Sequence, residues 1–384
     1  MNKMEETIVV TGVGIMSPLG NSPDVLWQRL MAAETAARIW PDLAEEGYRV
    51  AAACRLEGFE SPVLRRGRSL ALSAARQAVA QADLNLPADT GVFIGSTLGE
   101  SRAFEAAAEG ENIGLQHYTV ASFTAFIRQK LRLSGIYQSI ATACAAGNYA
   151  VGAAMTALRN GTASVALAGG AEPFSRLALV GFSRSRAMSP DRCRPFDQAR
   201  NGMLLGEGAA IFVLETAAHA LRRGARPLAE LVALGLSCDA YHATAPEPEG
   251  RGMGEAMQNA LNIAGLRASD IDWVNAHGSG TRLSDAAEAR AIRRVFGAQM
   301  PPVSGSKGAL GHALGAASAL ELAICIEGLR RQTIPPTPGH ESPDAEDGVP
   351  CTVQPVVTDV QYVLNNAFAF GGVNSSLLLR RWEN

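Results

Sequence analysis

The sequence predicts an α/β protein built from two similar halves that are stacked together. First, short runs rich in β-branched residues alternate with Ala-rich helical stretches along the chain, a pattern typical of buried sheets covered by helices. Second, residues 138–160 and 303–330 repeat one order of features: a strand, a turn of small residues, the triplet Gly-Ala-Ala and a long helix. Third, 384 residues with 47% hydrophobic and 18% charged side chains suffice for a large buried core and exclude intrinsic disorder.

Two kinds of segment follow one another from the N-terminus. Runs with the composition of strands cover residues 8–11, 91–95, 164–167, 211–214, 271–275 and 376–379. Ala-rich segments with helical spacing, several of which end at Gly or Asn-Gly, cover residues 23–33, 69–82, 148–158, 217–223, 254–264, 286–296 and 314–330. Each half closes on a Gly-rich turn and a final strand, at 206–215 and 370–379. We therefore predict an N-terminal half over 1–222 and a C-terminal half over 223–384.

Charge and composition exclude several classes of partner. The 34 basic and 37 acidic residues give a net charge of −3, so we expect no nucleic-acid-binding surface. The first seven residues lead directly into an apolar strand, so we expect no signal peptide. The uncharged stretch 141–158 is built from Ala, Gly, Thr and Asn, which predicts a buried helix and no membrane span. The six cysteines show no metal-ligand spacing, which predicts no metal site and a reducing, cytoplasmic location.

Cys144 is a candidate nucleophile. It lies in the segment TACAAGN, between an apolar strand and an Ala/Gly-rich helix, and its small neighbours leave room for a substrate. Unpaired backbone N–H groups and the positive end of the helix would favour the thiolate there. The alternative is a buried and inert cysteine, which is the more frequent kind.

His277 is a second candidate, because it follows a strand in the Gly-rich turn AHGSGT and should face a cleft. Asp285 and Glu288 come one turn later, where they are expected to cap the helix or orient the loop. A purely structural role for this histidine is equally open.

Lys307 and His312 lie in SKGALGHALGAAS, a segment otherwise suited to a core. The chain has only three lysines against thirty-one arginines, so a lysine in this Gly/Ala segment is unusual. A buried ammonium needs an anionic partner, and Glu321 on the following helix is the nearest candidate in sequence.

One cysteine with two histidines fits condensation better than hydrolysis. A proteolytic pair needs one histidine with an orienting Asn or Asp, whereas two imidazoles that donate from Nε2 could stabilise an enolate, at about 3 kcal/mol per donor. A backbone N–H of the glycine turn NAFAFGG, at 366–372, could form an oxyanion hole with that of Cys144. That turn could equally be a simple connection between strands with core phenylalanines.

Taken in order, the segments of this chain resemble the β-ketoacyl-acyl carrier protein synthases, condensing enzymes of the thiolase fold. The resemblance covers nearly the whole chain, through VVTGVGIMSPLG, GVFIGST, ATACAAG, RPFDQARNGMLLGEGAAIFVLE, SCDAYHATAPEP, VNAHGSGT, SKGALGHALGAAS and AFAFGGVN. It implies a five-layered α-β-α-β-α thiolase fold from two duplicated halves. It also implies decarboxylative condensation of an acyl thioester with malonyl-acyl carrier protein, in fatty acid, polyene or polyketide synthesis.

The resemblance also implies roles for individual residues. Cys144 would carry the acyl chain as a thioester, and His277 and His312 would bind the malonyl thioester and assist decarboxylation. Lys307, paired with Glu321, would shape the field around His312. Phe370 would gate the acyl pocket and complete the oxyanion hole. Further substrate-binding or supporting residues would be Ser279, Thr281, Phe368, Phe182, Thr97, Leu98 and Asp285.

The implied partner is an acyl carrier protein, whose phosphopantetheine carries the substrates so that no other cofactor is needed. Arg65, Arg66 and Arg68, with Arg184 and Arg186, could dock this acidic protein, although a solvated arginine run is the alternative. The family implies a homodimer, or a heterodimer with a related ketosynthase or chain length factor.

Two other functions can be weighed from the sequence. A chain-length-factor-like partner subunit is the alternative to the active enzyme, and such subunits usually lack the cysteine. A thiolase would need a second catalytic cysteine, and neither Cys325 nor Cys351 lies in a matching turn.

Overall fold

The computed structural model describes residues 3–114 and 117–383. Its helices are α1 (Lys3–Glu6), α2 (Pro23–Met31), α3 (Pro41–Glu45), α4 (Arg66–Ala82), α5 (Ser101–Ala108), α6 (Ala121–Leu131), α7 (Ala146–Arg159), α8 (Arg176–Arg184), α9 (Ala217–Arg222), α10 (Arg251–Ala264), α11 (Arg282–Phe296), α12 (Lys307–Leu310) and α13 (Ala317–Arg331). Its strands are β1 (Ile8–Met16), β2 (Arg38–Ile39), β3 (Ala52–Ala53), β4 (Gly91–Gly95), β5 (Tyr137–Ile140), β6 (Val165–Glu172), β7 (Gly208–Thr216), β8 (Ala229–Cys238), β9 (Trp273–Asn275), β10 (Val303–Ser304), β11 (Thr333–Ile334), β12 (Val356–Val357), β13 (Tyr362–Phe368) and β14 (Val373–Arg381).

Ten of the strands form one sheet with a mirrored order, β10-β9-β13-β14-β8-β1-β7-β6-β4-β5. At its centre β1 and β8 pair antiparallel, with Ile8 opposite Leu231. Outward from that contact, each side has two antiparallel pairings followed by two parallel ones. The predicted duplication is therefore confirmed. The chain passes from one half to the other between α9 and β8, and the division after residue 222 remains our proposal.

The helices complete five layers around the two halves of the sheet. α4 covers β1 and β7 on one outer face, and α10 covers β8 and β14 on the other. α7 and α13 lie between the halves and contact strands of both. Residues 317–329 of α13 are buried all round, as expected for a helix enclosed between the two halves of the sheet. The uncharged stretch that predicted a buried helix forms α7.

The two central helices start in the same way. A short 3-10 turn precedes each, Ala143–Ala145 before α7 and Leu314–Ala316 before α13. The first residue of each turn has a left-handed backbone, with φ of 47° at Ala143 and 44° at Leu314. The two turns are therefore the structurally equivalent positions of the repeat. The Gly-Ala-Ala triplets are not equivalent, because the first one, at 152–154, lies inside α7, whereas the second, at 315–317, spans the end of a turn and the start of α13.

Two other observations bear on the expectations from composition. All six cysteines are free thiols. Within residues 3–114 and 117–383, no helix has the length and apolar character needed to cross a membrane, and no group of three or more His, Cys, Asp or Glu side chains is arranged to hold a metal ion.

Candidate active site

A cavity of about 570 Å³ brings Cys144 together with His277 and His312. Cys144 lies in the turn before α7, His277 follows β9, and His312 follows α12. The centroids of the two imidazole rings are 5.3 Å apart, at an interplanar angle of 76°. Cys144 is 8% exposed and each histidine 3%, so little water reaches these groups. One half thus contributes a sulfur and the other half two imidazoles.

The hydrogen bonds of His312 define its tautomer. Its Nδ1 accepts the backbone N–H of Leu314 at 3.2 Å, so the ring hydrogen of the neutral imidazole is on Nε2. Burial, helped by the positive charge of Lys307, lowers the pKa of His312 well below 6.5. His312 is therefore a neutral donor at physiological pH.

His277 is held by two buried carboxyl groups on α11. Glu288 accepts the backbone N–H groups of His277 and Gly278 at 2.8 Å each. Asp285 accepts the Ser279 hydroxyl at 3.2 Å and the N–H of Gly280 at 3.1 Å. These two residues orient the loop.

Burial also shifts the pKa values of His277 and of the two carboxyl groups that hold its loop. It raises the pKa of Glu288 to about 8 and that of Asp285 to about 6, against the effect of their N–H donors. Burial lowers the pKa of His277 well below 6.5, and the neighbouring Lys307 and His312 lower it further. The second imidazole is therefore also neutral at physiological pH.

Lys307 forms a buried ion pair behind the histidines. Its Nζ donates to Glu321 Oε1 at 2.5 Å and to the backbone oxygen of His277. Lys307 is 1% exposed and Glu321 2%, and neither lines the cavity. Burial raises the pKa of Glu321 to about 7, and the ammonium of Lys307 opposes that rise. Lys307 therefore influences the cavity without lining it, through its positive charge and through its hydrogen bond to the backbone oxygen of His277.

The sequence-based expectation of a thiolate at Cys144 is corrected by the depth of the site. Burial raises the pKa of the Cys144 thiol to about 12 and Glu172 adds to the rise, whereas the charge of Lys307 opposes it. Desolvation of the sulfur therefore outweighs the favourable charge nearby. At rest, Cys144 is a protonated thiol.

Five of the predicted substrate-binding and gating residues line the cavity: Ser279, Thr281, Phe368, Phe182 and Phe370. The hydroxyl oxygens of Ser279 and Thr281 are 2.9 Å apart. The ring of Phe370, which is 42% exposed, lies 5.6 Å from that of Phe182. An aromatic pair therefore stands at the solvent side of the cavity, and a pair of hydroxyls lies further along its wall.

Thr97 and Leu98 do not line the cavity, which corrects their predicted place on its wall. Their backbone N–H groups donate to the carboxylate of Glu172, at 2.5 and 2.9 Å. Glu172 is fully buried and also accepts the N–H of Gly315 at 3.0 Å. It fastens the loop after β4 to the turn before α13, and no pattern in the sequence pointed to it.

Of the three arginines predicted to form a docking cluster, only Arg65 remains a candidate for that role. Arg68 is 6% exposed and faces the buried Glu100. Arg66 donates from Nε and Nη2 to both oxygens of Glu207, at 2.7 Å each. Arg65 is exposed, and exposed Arg184 and Arg186 flank the cavity, which Arg186 lines. Arg66 and Arg68 were wrongly predicted to dock the partner. A run of basic residues at the start of a helix does not show which of their side chains contact buried acidic residues.

Comparison with family models and curated proteins finds matches over most of the chain. Residues 5–220 match the family model "Beta-ketoacyl synthase, N-terminal domain", and residues 228–341 match the model of its C-terminal domain. The chain is 36% identical to 3-oxoacyl-acyl-carrier-protein synthase 2 of Rhizobium meliloti, over 98% of this chain and 99% of that protein. It is 34% identical to the enzyme of the same name from Staphylococcus aureus, over 98% of each.

Solved structures are similar over the same length. A chain of the ishigamide ketosynthase/chain length factor superposes with a TM-score of 0.93 at 36% identity, covering 98% of this chain and 99% of that one. A chain from a complex of a type II polyketide ketosynthase with its acyl carrier protein gives a TM-score of 0.87 at 27% identity, covering 98% of this chain and 99% of that one. A chain from the complex of a Xenorhabdus doucetiae ketosynthase with its chain length factor gives 0.86 at 26% identity, covering all of both chains.

Proposed function

This chain belongs to the β-ketoacyl synthase family, and we propose that Cys144, His277 and His312 carry out its decarboxylative condensation. The substrates would be an acyl thioester and malonyl-acyl carrier protein, and the product a β-ketoacyl-acyl carrier protein. The observation that carries this proposal is the shared cavity, in which a sulfur from one half faces two neutral imidazoles from the other.

The first step would load the acyl chain on Cys144. Its Sγ attacks the carbonyl carbon of the thioester, a C–S bond forms, and the bond to the pantetheine sulfur breaks. The thiol proton leaves with that pantetheine sulfur. Because burial raises the pKa of Cys144, this proton transfer accompanies the attack. The backbone N–H groups of Cys144 and Phe370 would stabilise the charge on the carbonyl oxygen.

The second step would use the two histidines. The thioester oxygen of the malonyl group accepts hydrogen bonds from His277 and His312, and loss of CO₂ leaves an enolate whose charge is concentrated on that oxygen. Each donor contributes about 3 kcal/mol. The enolate carbon then attacks the acyl carbonyl carbon held by Cys144. A C–C bond forms and the C–S bond to Cys144 breaks, and the released thiolate takes up a proton from solvent when the product leaves.

The remaining residues would support these steps. Ser279 and Thr281 would bind the phosphopantetheine arm, and Phe370 would gate the acyl pocket against Phe182. Arg65, with Arg184 and Arg186, would attract the acidic carrier protein. The reaction needs no metal or redox cofactor. We further propose a cytoplasmic enzyme that forms a homodimer or pairs with a related ketosynthase or chain length factor. Because Cys144 and both histidines are present, this chain would be the active member.

The function is tested by separating the two steps in the Cys144→Ala and His312→Ala variants. Cys144→Ala should lose self-acylation and condensation but keep malonyl decarboxylation, because only the former need the nucleophile. His312→Ala should lower decarboxylation by about 100-fold and acylation far less. Mass spectrometry of the trapped acyl group and the release of CO₂ measure the two steps. Condensation by Cys144→Ala, or unchanged decarboxylation by His312→Ala, would overturn the proposal.

A further inference from the structure

Buried asparagine side chains join the two halves of the protein behind the cavity. Asn148, in the first turn of α7, donates from Nδ2 to the backbone oxygen of Asn365 at 3.1 Å and to Ser375 Oγ at 3.2 Å. Asn365, on β13, donates back from Nδ2 to Asn148 Oδ1 at 3.1 Å and to the backbone oxygen of Ser318 at 3.0 Å. The start of α7 is thereby fastened to β13, β14 and α13.

The same network reaches the strand that leads to His277. Asn275, the last residue of β9, donates from Nδ2 to Asn365 Oδ1 at 2.9 Å. His277 follows two residues later, and on the other side Asn148 lies four residues after Cys144. Three amide side chains, each 0% exposed, thus connect the segment of the nucleophile with that of a histidine.

The central pair of this network leaves no amide hydrogen unused. Asn148 and Asn365 each donate both hydrogens of the side-chain amide and accept with its oxygen. In the low dielectric of a core such bonds are strong, and a buried amide that loses its partner is costly. Sliding one half against the other would break several bonds at once, so the network resists small changes in their relative position.

We infer that Asn148, Asn365 and Asn275 are positioning residues that fix the separation between the acyl group on Cys144 and the enolate held by His277. None of the three lines the cavity, so they act only through the segments that carry the reacting groups. Bond formation needs the two carbon atoms about 3–3.5 Å apart, and a displacement of about 1 Å can cost about 100-fold in rate. The inference rests on the proposed function.

A positioning role makes a prediction that a role in stability alone does not. Decarboxylation depends only on the side of the histidines. Acylation takes one backbone N–H from the second half, at Phe370, but needs no enolate in place. Only condensation requires the acyl carbonyl carbon and the enolate carbon to be in register. A variant with a loosened network should therefore lose condensation selectively, whereas a generally destabilised protein loses all three rates together.

The test compares Asn148→Ala with a matched control, Asn366→Ala. Asn366 is the next residue after Asn365 on β13 and is equally buried, but it bonds only within the second half, to Ser376 Oγ at 2.7 Å and Met257 Sδ at 3.4 Å. Self-acylation, decarboxylation and condensation are measured per folded enzyme. For Asn148→Ala we expect condensation to fall about 10- to 100-fold. The other two rates should stay within about threefold, as should all three in Asn366→Ala.

The outcomes decide the inference in either direction. Selective loss of condensation in Asn148→Ala supports it. A parallel loss of all three rates, or condensation as fast as in Asn366→Ala, overturns it. Asn365→Ser, which removes the other central amide, gives the same comparison if Asn148→Ala does not fold. Failure of the proposed function is seen separately, because the unchanged protein would then not condense its substrates.

Discussion

Replacing Arg66 with alanine should destabilise the fold rather than weaken docking of a carrier protein. Arg66 donates twice, at 2.7 Å each, to the carboxylate of Glu207, which is 0% exposed. Glu207 also accepts the N–H groups of Leu56 at 2.8 Å and Phe174 at 3.1 Å. The substitution would therefore leave a charged carboxylate in the core with only these two donors.

The cost of this substitution can be estimated from the geometry. Removing one partner of a buried ion pair costs about 3–5 kcal/mol. Because the Arg66 side chain is 20% exposed, we place the loss of unfolding free energy near the lower limit, at about 3 kcal/mol. That corresponds to a change of about 100-fold in the ratio of folded to unfolded protein.

Urea denaturation of Arg66→Ala and Arg65→Ala checks this reasoning with adjacent residues. Arg65 is exposed and has no ion pair among the residues that the structure describes, so its removal should change the free energy by less than about 0.5 kcal/mol. KM for the carrier protein is measured for both folded variants. If Arg66→Ala were as stable as Arg65→Ala while its KM rose, Arg66 would belong to the docking surface and the argument would be refuted.

Two further predictions concern the ionisable groups in and behind the cavity. The imidazoles of His277 and His312 in Cys144→Ala should stay neutral as the pH falls through 6.5, because their pKa values lie well below 6.5. NMR titration of the two imidazoles checks this directly, since Glu321, with a pKa of about 7, and Asp285, with a pKa of about 6, can change the decarboxylation rate in the same range; a midpoint at 6.5 in the signals of either imidazole would contradict the prediction. Glu321→Leu should lower the unfolding free energy by about 3–5 kcal/mol, because it leaves the ammonium of Lys307 buried without a counter-charge. The double variant Lys307→Met/Glu321→Leu should recover most of that loss in urea denaturation, and a double variant as unstable as the single one would argue against the ion pair.

Strand β1 shows why the sequence patterns located the helices and strands more accurately than the residues at which they end. The pattern predicts a strand over 8–11, yet β1 continues through Gly12 and Gly14. A Cβ on these glycines would lie 2.0 Å from the backbone oxygen of Ala78 and 1.8 Å from that of Ala74 in α4. The two glycines therefore mark a close approach of helix and strand, whereas in sequence they resemble the end of a strand.

Strand β8 and helix α6 were missed for opposite reasons. β8 has the sequence AELVALGLSC, whose Ala, Glu and Leu residues favour helix, but pairing with β1 and β14 holds it extended. α6 has the sequence ASFTAFIRQKL, whose Ser, Thr and Phe residues are weaker helix formers, and it packs against α4. In both segments tertiary contacts override local propensity.

Within the candidate site, the sequence singled out residues that the structure places in or beside one cavity, together with Asp285, Glu288 and Glu321, but not Glu172 or the buried asparagines. Cys144, His277, Lys307 and His312 stand out because each interrupts a segment of small residues. Glu172 bonds to residues 74 and 75 positions away, and Asn148 to a residue 217 positions away. Such partners can be recognised only once the chain has brought the two halves together.

The paired turns before α7 and α13 have the same left-handed first residue but different residues at their second position. In the first half the left-handed step at Ala143 presents Cys144 to the cavity, and after the matching step at Leu314 comes Gly315. A Cβ there would lie 2.5 Å from the backbone nitrogen of Thr97 and 2.6 Å from the Cα of Ser96. The Cβ of a cysteine introduced at position 315 would therefore collide with the backbone of residues 96 and 97. The turn before α13 therefore has no room for a counterpart of Cys144, and its Gly315 instead donates its N–H to the carboxylate of Glu172.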